Sequence, residues 1–160
     1  MKFIEYSIEW AKGEIFEGMC ITIAGVLTLF GAFFIWKYGT TVNAKALLIP
    51  TLVLGLLLGV MGSYMMYANN QRVTDFQVAY QVDSEAFIQE EKKRVEDFQY
   101  MYPTSLAISV VCFLLTILAF AFFKNPNFHA ISIVLSVVGL SLIILDYFSK
   151  ERGQIYYEHI

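Results

Sequence analysis

Histidine and cysteine are scarce in this sequence, which has two of each among 160 residues. His129 lies near the start of an apolar run and His159 is the penultimate residue, so no pair of histidines is placed to ligate a haem between helices. Cys20 and Cys112 are isolated, whereas thiol redox exchange needs a second cysteine close by. The sequence therefore predicts neither a haem nor a thiol-redox centre.

Several other chemical signatures are also missing. The sequence has no His, Asp and Glu cluster at metal-ligand spacing, no nucleophile elbow and no glycine-rich phosphate loop. It has a net charge of −3, and its one basic run is interleaved with acids, which argues against a nucleic-acid partner. We therefore predict a non-enzymatic protein with no catalytic residues, no metal and no cofactor.

Long apolar runs are what the chain has in abundance, since 58% of its residues are hydrophobic. A helix needs roughly 20 residues to cross a hydrocarbon core about 30 Å thick. Four runs without Asp, Glu, Lys or Arg meet that length, at 18–36, 46–71, 98–123 and 125–145. The pattern predicts an all-α, four-helix transmembrane bundle in a lipid bilayer, with spans at about 16–36, 47–67, 104–123 and 129–148.

The cations are distributed unequally between the two sides of such a bundle. Eight lie on the side of the termini and of residues 68–102, against three on the other side, namely Lys37, Lys45 and Lys124. The positive-inside rule places the richer side in the cytoplasm. We expect a multipass protein of a cell membrane, with a bacterial inner membrane favoured and both termini cytoplasmic. The first residues are acidic, so no cleaved secretory signal is expected.

Three segments lie outside the spans on the predicted cytoplasmic side. Residues 1–15 place Ile4, Ile8, Ala11 and Ile15 on one stripe, which predicts an amphipathic interfacial helix that bends at Gly13 before the first span. Residues 68–102 predict a cytoplasmic helical hairpin or projection. Residues 149–160 are interpreted as a short cytoplasmic tail.

The hairpin has an apolar stripe of its own. Its members are Phe76, Tyr80, Phe87 and Phe98. Asp83 is predicted to cap the second helix, an i,i+4 pair of Glu90 with Arg94 to support it, and Pro103 to separate it from the third span. The stripe could bind a protein partner or a second copy of the chain, or it could pack on itself or on the N-terminal helix.

Small residues recur on one face of each span, which is where helix backbones approach each other in lipid. The residues predicted to pack in this way include Gly55, Gly59 and Gly62 in the second span and Ser132, Ser136 and Gly139 in the fourth.

Three acids lie at the cytoplasmic border of the spans, namely Glu14, Glu17 and Asp146. Asp146 could be an interfacial acid paired with Lys150, Arg152 or Lys12, or it could be a proton or cation site, since ionisable groups inside membranes are usually functional. For Glu14 and Glu17, helix capping is the alternative to a functional charge.

Two functions follow as hypotheses. The leading one is a scaffold or regulatory subunit that binds a partner or itself through its cytoplasmic helical segment. The alternative is a small oligomeric ion conduit or proton-coupled transporter that uses Asp146 and Glu17, with Ser and Thr rows of the third and fourth spans facing a shared axis.

The orientation is testable by labelling. Single cysteines at Ser84 and Asn125, in a background where Cys20 and Cys112 are replaced by Ala, should react with a membrane-impermeant thiol reagent only at Asn125 in intact cells. Ser84 should react after permeabilisation, which controls for its accessibility. Labelling of Ser84 in intact cells would reverse the orientation.

Overall fold

The computed structural model describes residues 3–158, and these are almost entirely helical. Lys2, one of the eight cations on the predicted cytoplasmic side, and His159, one of the two histidines, lie outside the described residues. The helices are α1 (Phe3–Tyr38), α2 (Val42–Val82), α3 (Ser84–Phe98), α4 (Met101–Phe122) and α5 (Pro126–Glu158).

Four helices are long and apolar enough to cross a membrane, with α3 and α4 counted as one continuous run. Large apolar side chains point outward along them, as Leu27, Leu57, Ile117 and Leu140 do. Such a surface is suited to lipid, because the exposure of apolar side chains to water is unfavourable. The prediction of an all-α membrane protein with four spans is confirmed at this level.

Three of these helices are much longer than a span needs, with 36 residues in α1, 41 in α2 and 33 in α5. Their extra turns emerge at one end of the bundle. Residues 3–15, 68–82 and 149–158, together with α3, pack into a helical unit that we call the headpiece. The chain is therefore built as two apolar hairpins, with the headpiece continuing from one end of them.

Two helices continue through the boundaries that the sequence suggested. Helix α1 has no break at Gly13, where an added Cβ would lie 3.0 Å from Cδ of Arg152, so the glycine makes room for a side chain of α5. Residues 149–158 are not a separate tail but the last turns of α5, held in place by the buried Tyr156. Tertiary packing extends both helices beyond the limits that the hydropathy suggests.

A side-chain cap separates α2 from α3, and a turn at residues 99–100 separates α3 from α4. Asp83 Oδ1 accepts hydrogen bonds of 3.0 Å from the backbone N–H groups of Glu85 and Ala86, which confirms the predicted N-cap. Helix α3 ends at Phe98, and Pro103 lies in the first turn of α4. A proline is tolerated there because N–H groups in a first turn have no partner within the helix.

Glycines bring α1 and α2 into backbone contact. A Cβ at Gly25 would lie 2.5 Å from the Gly59 nitrogen, and one at Gly62 would lie 2.6 Å from the Gly18 carbonyl oxygen. A Cβ at Gly55 would overlap the Leu29 side chain at 2.8 Å. Gly59 takes part through its backbone alone, since its own Cβ would meet nothing within 4 Å.

Hydroxyl groups join α4 to α5. Thr116 Oγ1 donates to the Ser132 carbonyl at 2.9 Å, and Ser136 Oγ donates to Thr116 Oγ1 at 3.0 Å. A Cβ at Gly139 would lie 3.3 Å from Cys112 Cβ. The small residues predicted in the fourth span therefore pack within the chain. Helix α4 packs chiefly on α5, which in turn contacts α2 and α1.

Alanine substitution can distinguish a glycine whose Cβ would overlap the neighbouring helix, Gly25, from one whose Cβ would meet nothing, Gly59. Gly25→Ala should lower stability by about 1–3 kcal/mol, because its Cβ overlaps backbone that cannot move cheaply. Gly59→Ala should be neutral or stabilising by up to roughly 1 kcal/mol, because it adds helix propensity without a clash. Thermal unfolding in detergent, followed by circular dichroism, measures both. Equal melting temperatures would contradict backbone contact at Gly25.

Candidate functional site

The acids selected from the sequence lie together where the spans meet the headpiece. Glu14 and Glu17 are buried against α5, with 7% and 8% of their surface exposed. Arg152 Nη2 lies 3.0 Å from Glu14 Oε1 and also contacts Glu17 Oε2. One guanidinium therefore pairs with two carboxylates of α1, and we call these three residues the clamp.

Arg152 is held in the charged form by its two partners. Burial opposes its charge, but the hydrogen bonds to Glu17 and Glu14 outweigh that effect and raise the pKa of the guanidinium. A buried carboxylate without a counter-charge would be costly, since desolvation amounts to several kcal/mol per ion. The clamp is thus a fixed attachment of α5 to α1.

Asp146 belongs to a different set of contacts. Its Oδ2 accepts a hydrogen bond from Ser105 Oγ of α4. Within residues 3–158 it forms no ion pair with Lys150, Arg152 or Lys12, so the pairings considered from the sequence are not formed. The reason is geometric, because Arg152 is already engaged by α1 and the α4 hydroxyl faces the carboxylate directly.

Two hydrogen bonds connect the surroundings of these acids. Ser149 Oγ lies 3.5 Å from Glu14 Oε1, and the Tyr102 hydroxyl donates to the Ser149 carbonyl at 3.3 Å. Burial and the nearby charges of Glu14 and Asp146 raise the pKa of Tyr102, which keeps its phenol neutral. The three predicted acids are therefore neighbours, but only two of them share a cation.

A second polar network lies deeper in the headpiece. Tyr156 is 3% exposed, and its hydroxyl donates to Glu91 Oε2 at 2.9 Å and lies 2.8 Å from Ser7 Oγ. Arg94 donates to both oxygens of Glu91 at 2.8 Å, and its guanidinium lies 4.4 Å from the Trp10 ring centroid. This network joins α1, α3 and α5.

The sequence reasoning missed this network and assigned Arg94 to the wrong acid. Arg94 pairs with Glu91 at i,i+3, not with Glu90. A signal was present, because Glu91 falls four residues after Phe87 on the apolar stripe and four before Val95, and all three are buried. An acid on an apolar stripe predicts a buried partner, since a lone charge there would be expensive.

The aromatic stripe is occupied by α1. Phe76 and Phe87 are buried with Ala11, their ring centroids 5.3 Å apart, and Tyr80 packs edge-on against Phe87 at 5.9 Å. Phe3, Ile4 and Trp10 complete this core. Phe98 stays apart from it, 44% exposed and edge-on to Tyr102. Two of the possibilities considered from the sequence are therefore observed together, since the stripe packs on itself and on the N-terminal helix.

The hydroxyl rows of α4 and α5 are likewise engaged inside the chain. Ser109 and Ser132 are buried, and Thr116 and Ser136 bond to each other between the two helices. Lining a water-filled path would require these contacts to open.

No protein-family model matches the chain, and no curated protein or solved structure matches it either. The described part of the chain holds no group of three or more His, Cys, Asp or Glu that could bind a metal ion. The clamp, the Tyr156 network and the surfaces of the headpiece are the features that bear on function.

The clamp can be tested by removing its cation. Arg152→Met should destabilise the protein by on the order of 3 kcal/mol, because Glu14 and Glu17 are left buried without a counter-charge. The triple variant Arg152→Met/Glu14→Gln/Glu17→Gln should recover most of the loss. Lys12→Met, an exposed cation of α1, is the control. Thermal unfolding in detergent measures all three, and an unaffected Arg152→Met would rule out the clamp.

The Tyr156 network can be tested with two adjacent tyrosines. Tyr156→Phe should cost about 1–3 kcal/mol, because it leaves Glu91 and Ser7 buried with one partner fewer. Tyr157→Phe removes an exposed hydrogen bond to Glu96 and should cost less than about 0.5 kcal/mol. Hydrogen exchange of the α3 amides should speed up only in the first variant.

The same network has a pH dependence of known sign. Burial raises the pKa of Tyr156, and the charge of Glu91 adds to that effect. The stability that the neutral phenol contributes is therefore fully present below the ordinary tyrosine pKa of about 10 and is lost progressively as the pH rises from there through the raised value. Protection of the α3 amides should accordingly persist at pH 10.

Proposed function

We propose that the chain is a non-enzymatic multipass protein of a cell membrane, a bacterial inner membrane being favoured, with both termini and the headpiece in the cytoplasm. In this proposal it is a scaffold or regulatory subunit that binds a protein partner, or a second copy of itself, through the headpiece. The excess of Lys and Arg at that end of the bundle supports the orientation.

One observation carries the proposal. Helices α1, α2 and α5 run unbroken from the apolar segments into the headpiece, where the clamp and the Tyr156 network tie α1, α3 and α5 together. A partner bound to the headpiece would be coupled rigidly to the spans, because a continuous helix transmits a tilt or rotation along its length. Holding and positioning a partner is the task suited to such a construction.

Phe76, Tyr80 and Phe87 are engaged in the core of the headpiece, so of the aromatic stripe only Phe98 is left exposed for a partner. The far end of the headpiece is a better candidate. Val78 and Val82 lie one turn apart on α2 and are 58% and 82% exposed. Val82 is roughly 22 Å beyond the end of the predicted second span, at ~1.5 Å per residue, so lipid does not cover it. Exposed glutamates and lysines of α3 lie beyond the turn at Asp83.

The conduit alternative has less support. It is supported by the acids Glu17 and Asp146, but Glu17 is paired with Arg152. The Ser and Thr rows would also have to leave the α4–α5 contact in order to face water.

Site-specific photo-crosslinking tests the leading proposal. A photoreactive amino acid at Val82 should give a discrete adduct in cells, whereas the same group at Asn43, exposed at the opposite end of α2, should not give that adduct. An adduct of twice the chain mass identifies self-association, and any other mass identifies a different partner. Val78→Asp should abolish it by placing a charge in the apolar contact. Absence of an adduct from Val78, Val82 and Lys92 alike would remove the proposal.

A further inference from the structure

A cavity of about 210 Å³ lies at the base of the headpiece, between α3, the first turn of α4 and the last turns of α5. Val95, Phe98 and Pro103 supply its apolar walls, and Trp10 of α1 lines it as well. Two cations, Arg94 and Lys150, also line it. The cavity is therefore amphipathic, with an apolar wall and a cationic edge.

The cavity lies at the depth of lipid headgroups. Pro103 immediately precedes the predicted third span, and Ser149 immediately follows the fourth, and both line the cavity. Trp10 and Tyr102, two of its aromatic residues, have the amphipathic rings that favour the membrane–water boundary. Its volume is below the roughly 300–1,000 Å³ usual for a complete small-molecule site. It would suit a headgroup whose acyl chains remain in the bilayer.

The charge of the cavity has one sign. No acidic residue is among its lining residues. Arg94 is neutralised by its bidentate contact with Glu91, whereas Lys150 has no ion-pair partner among residues 3–158. Asp146, one turn before Lys150, accepts its hydrogen bond from Ser105 of α4. Lys150 therefore places an ammonium group without a direct ion-pair contact at the edge of an apolar cavity, with the carboxylate of Asp146 one turn away.

We infer that this cavity binds the headgroup of an anionic phospholipid. The Lys150 ammonium pairs with the phosphate, and the first methylenes of the chains lie against Phe98 and Pro103. The apolar wall would accept any lipid, so it is the unpaired lysine that selects for net negative charge. A single Lys beside an anionic lipid surface corresponds to about a fivefold preference.

Tryptophan fluorescence gives a local readout, because the chain has two tryptophans and Trp10 lines the cavity. Trp36→Phe leaves Trp10 alone. This protein is reconstituted in phosphatidylcholine vesicles that contain a small fraction of either phosphatidylglycerol or phosphatidylcholine, brominated near the ester groups. We expect brominated phosphatidylglycerol to quench Trp10 at about one fifth of the mole fraction that brominated phosphatidylcholine requires. Equal quenching by the two lipids would overturn the inference.

Matched variants assign the preference to the lysine. Lys150→Gln should abolish the preference, Lys150→Arg should retain it, and Lys92→Gln, an exposed α3 lysine outside the cavity, should leave it unchanged. Persistence of the preference in Lys150→Gln would overturn the inference. Millimolar glycerol phosphate, which has the headgroup chemistry but no chains, should not relieve the quenching. Relief would assign the cavity to a soluble phosphate ester and overturn the lipid assignment.

Discussion

The contact of Arg152 with Glu14 and Glu17 is the interaction on which the headpiece depends. Two carboxylates cannot remain buried on α1 without a cation, and the cation reaches them only because α5 continues past its apolar segment and Gly13 leaves space for its side chain. Tyr156 follows one turn later on the same face of α5, where it meets Ser7, which lies two turns before Glu14 on α1. The ionic contact of Arg152 thus sets the register in which Tyr156 of α5 reaches Ser7 of α1.

The two halves of the molecule are held together by different forces. In the spans, lipid is as apolar as the side chains, so contact depends on close backbone approach at Gly25 and Gly62 and on hydroxyl bonds such as that of Thr116 to Ser132. In the headpiece, aromatic burial around Phe76 and Phe87 acts together with ion pairs. Helices α1, α2 and α5 are continuous from the spans into the headpiece. The headpiece therefore has a defined orientation relative to the spans.

Much of the architecture was predictable from particular residues. The four apolar runs, the Asp83 cap and the small residues Gly55, Gly62 and Gly139 each have a local signature, and each has the expected local role. The length of α1 and α5 was not predictable, because Gly13 and the polar residues after Asp146 resemble a helix end when only neighbours in sequence are considered. Tertiary partners for those residues overrode the local preference.

The sequence by itself determined how many helices can enter a membrane and which helix faces carry small side chains. Hydrophobic length and side-chain volume are properties of each segment alone. It also selected Glu14, Glu17 and Asp146 as unusual charges, because an acid at the border of an apolar run is conspicuous without any partner. Only the tertiary structure decided that Arg152 pairs with Glu14 and Glu17. It also decided that Ser105 donates to Asp146 and that Tyr156 donates to Glu91. The physical reason is that the cost of a buried charge depends on which group lies within about 3 Å of it, and that group comes from a distant part of the chain.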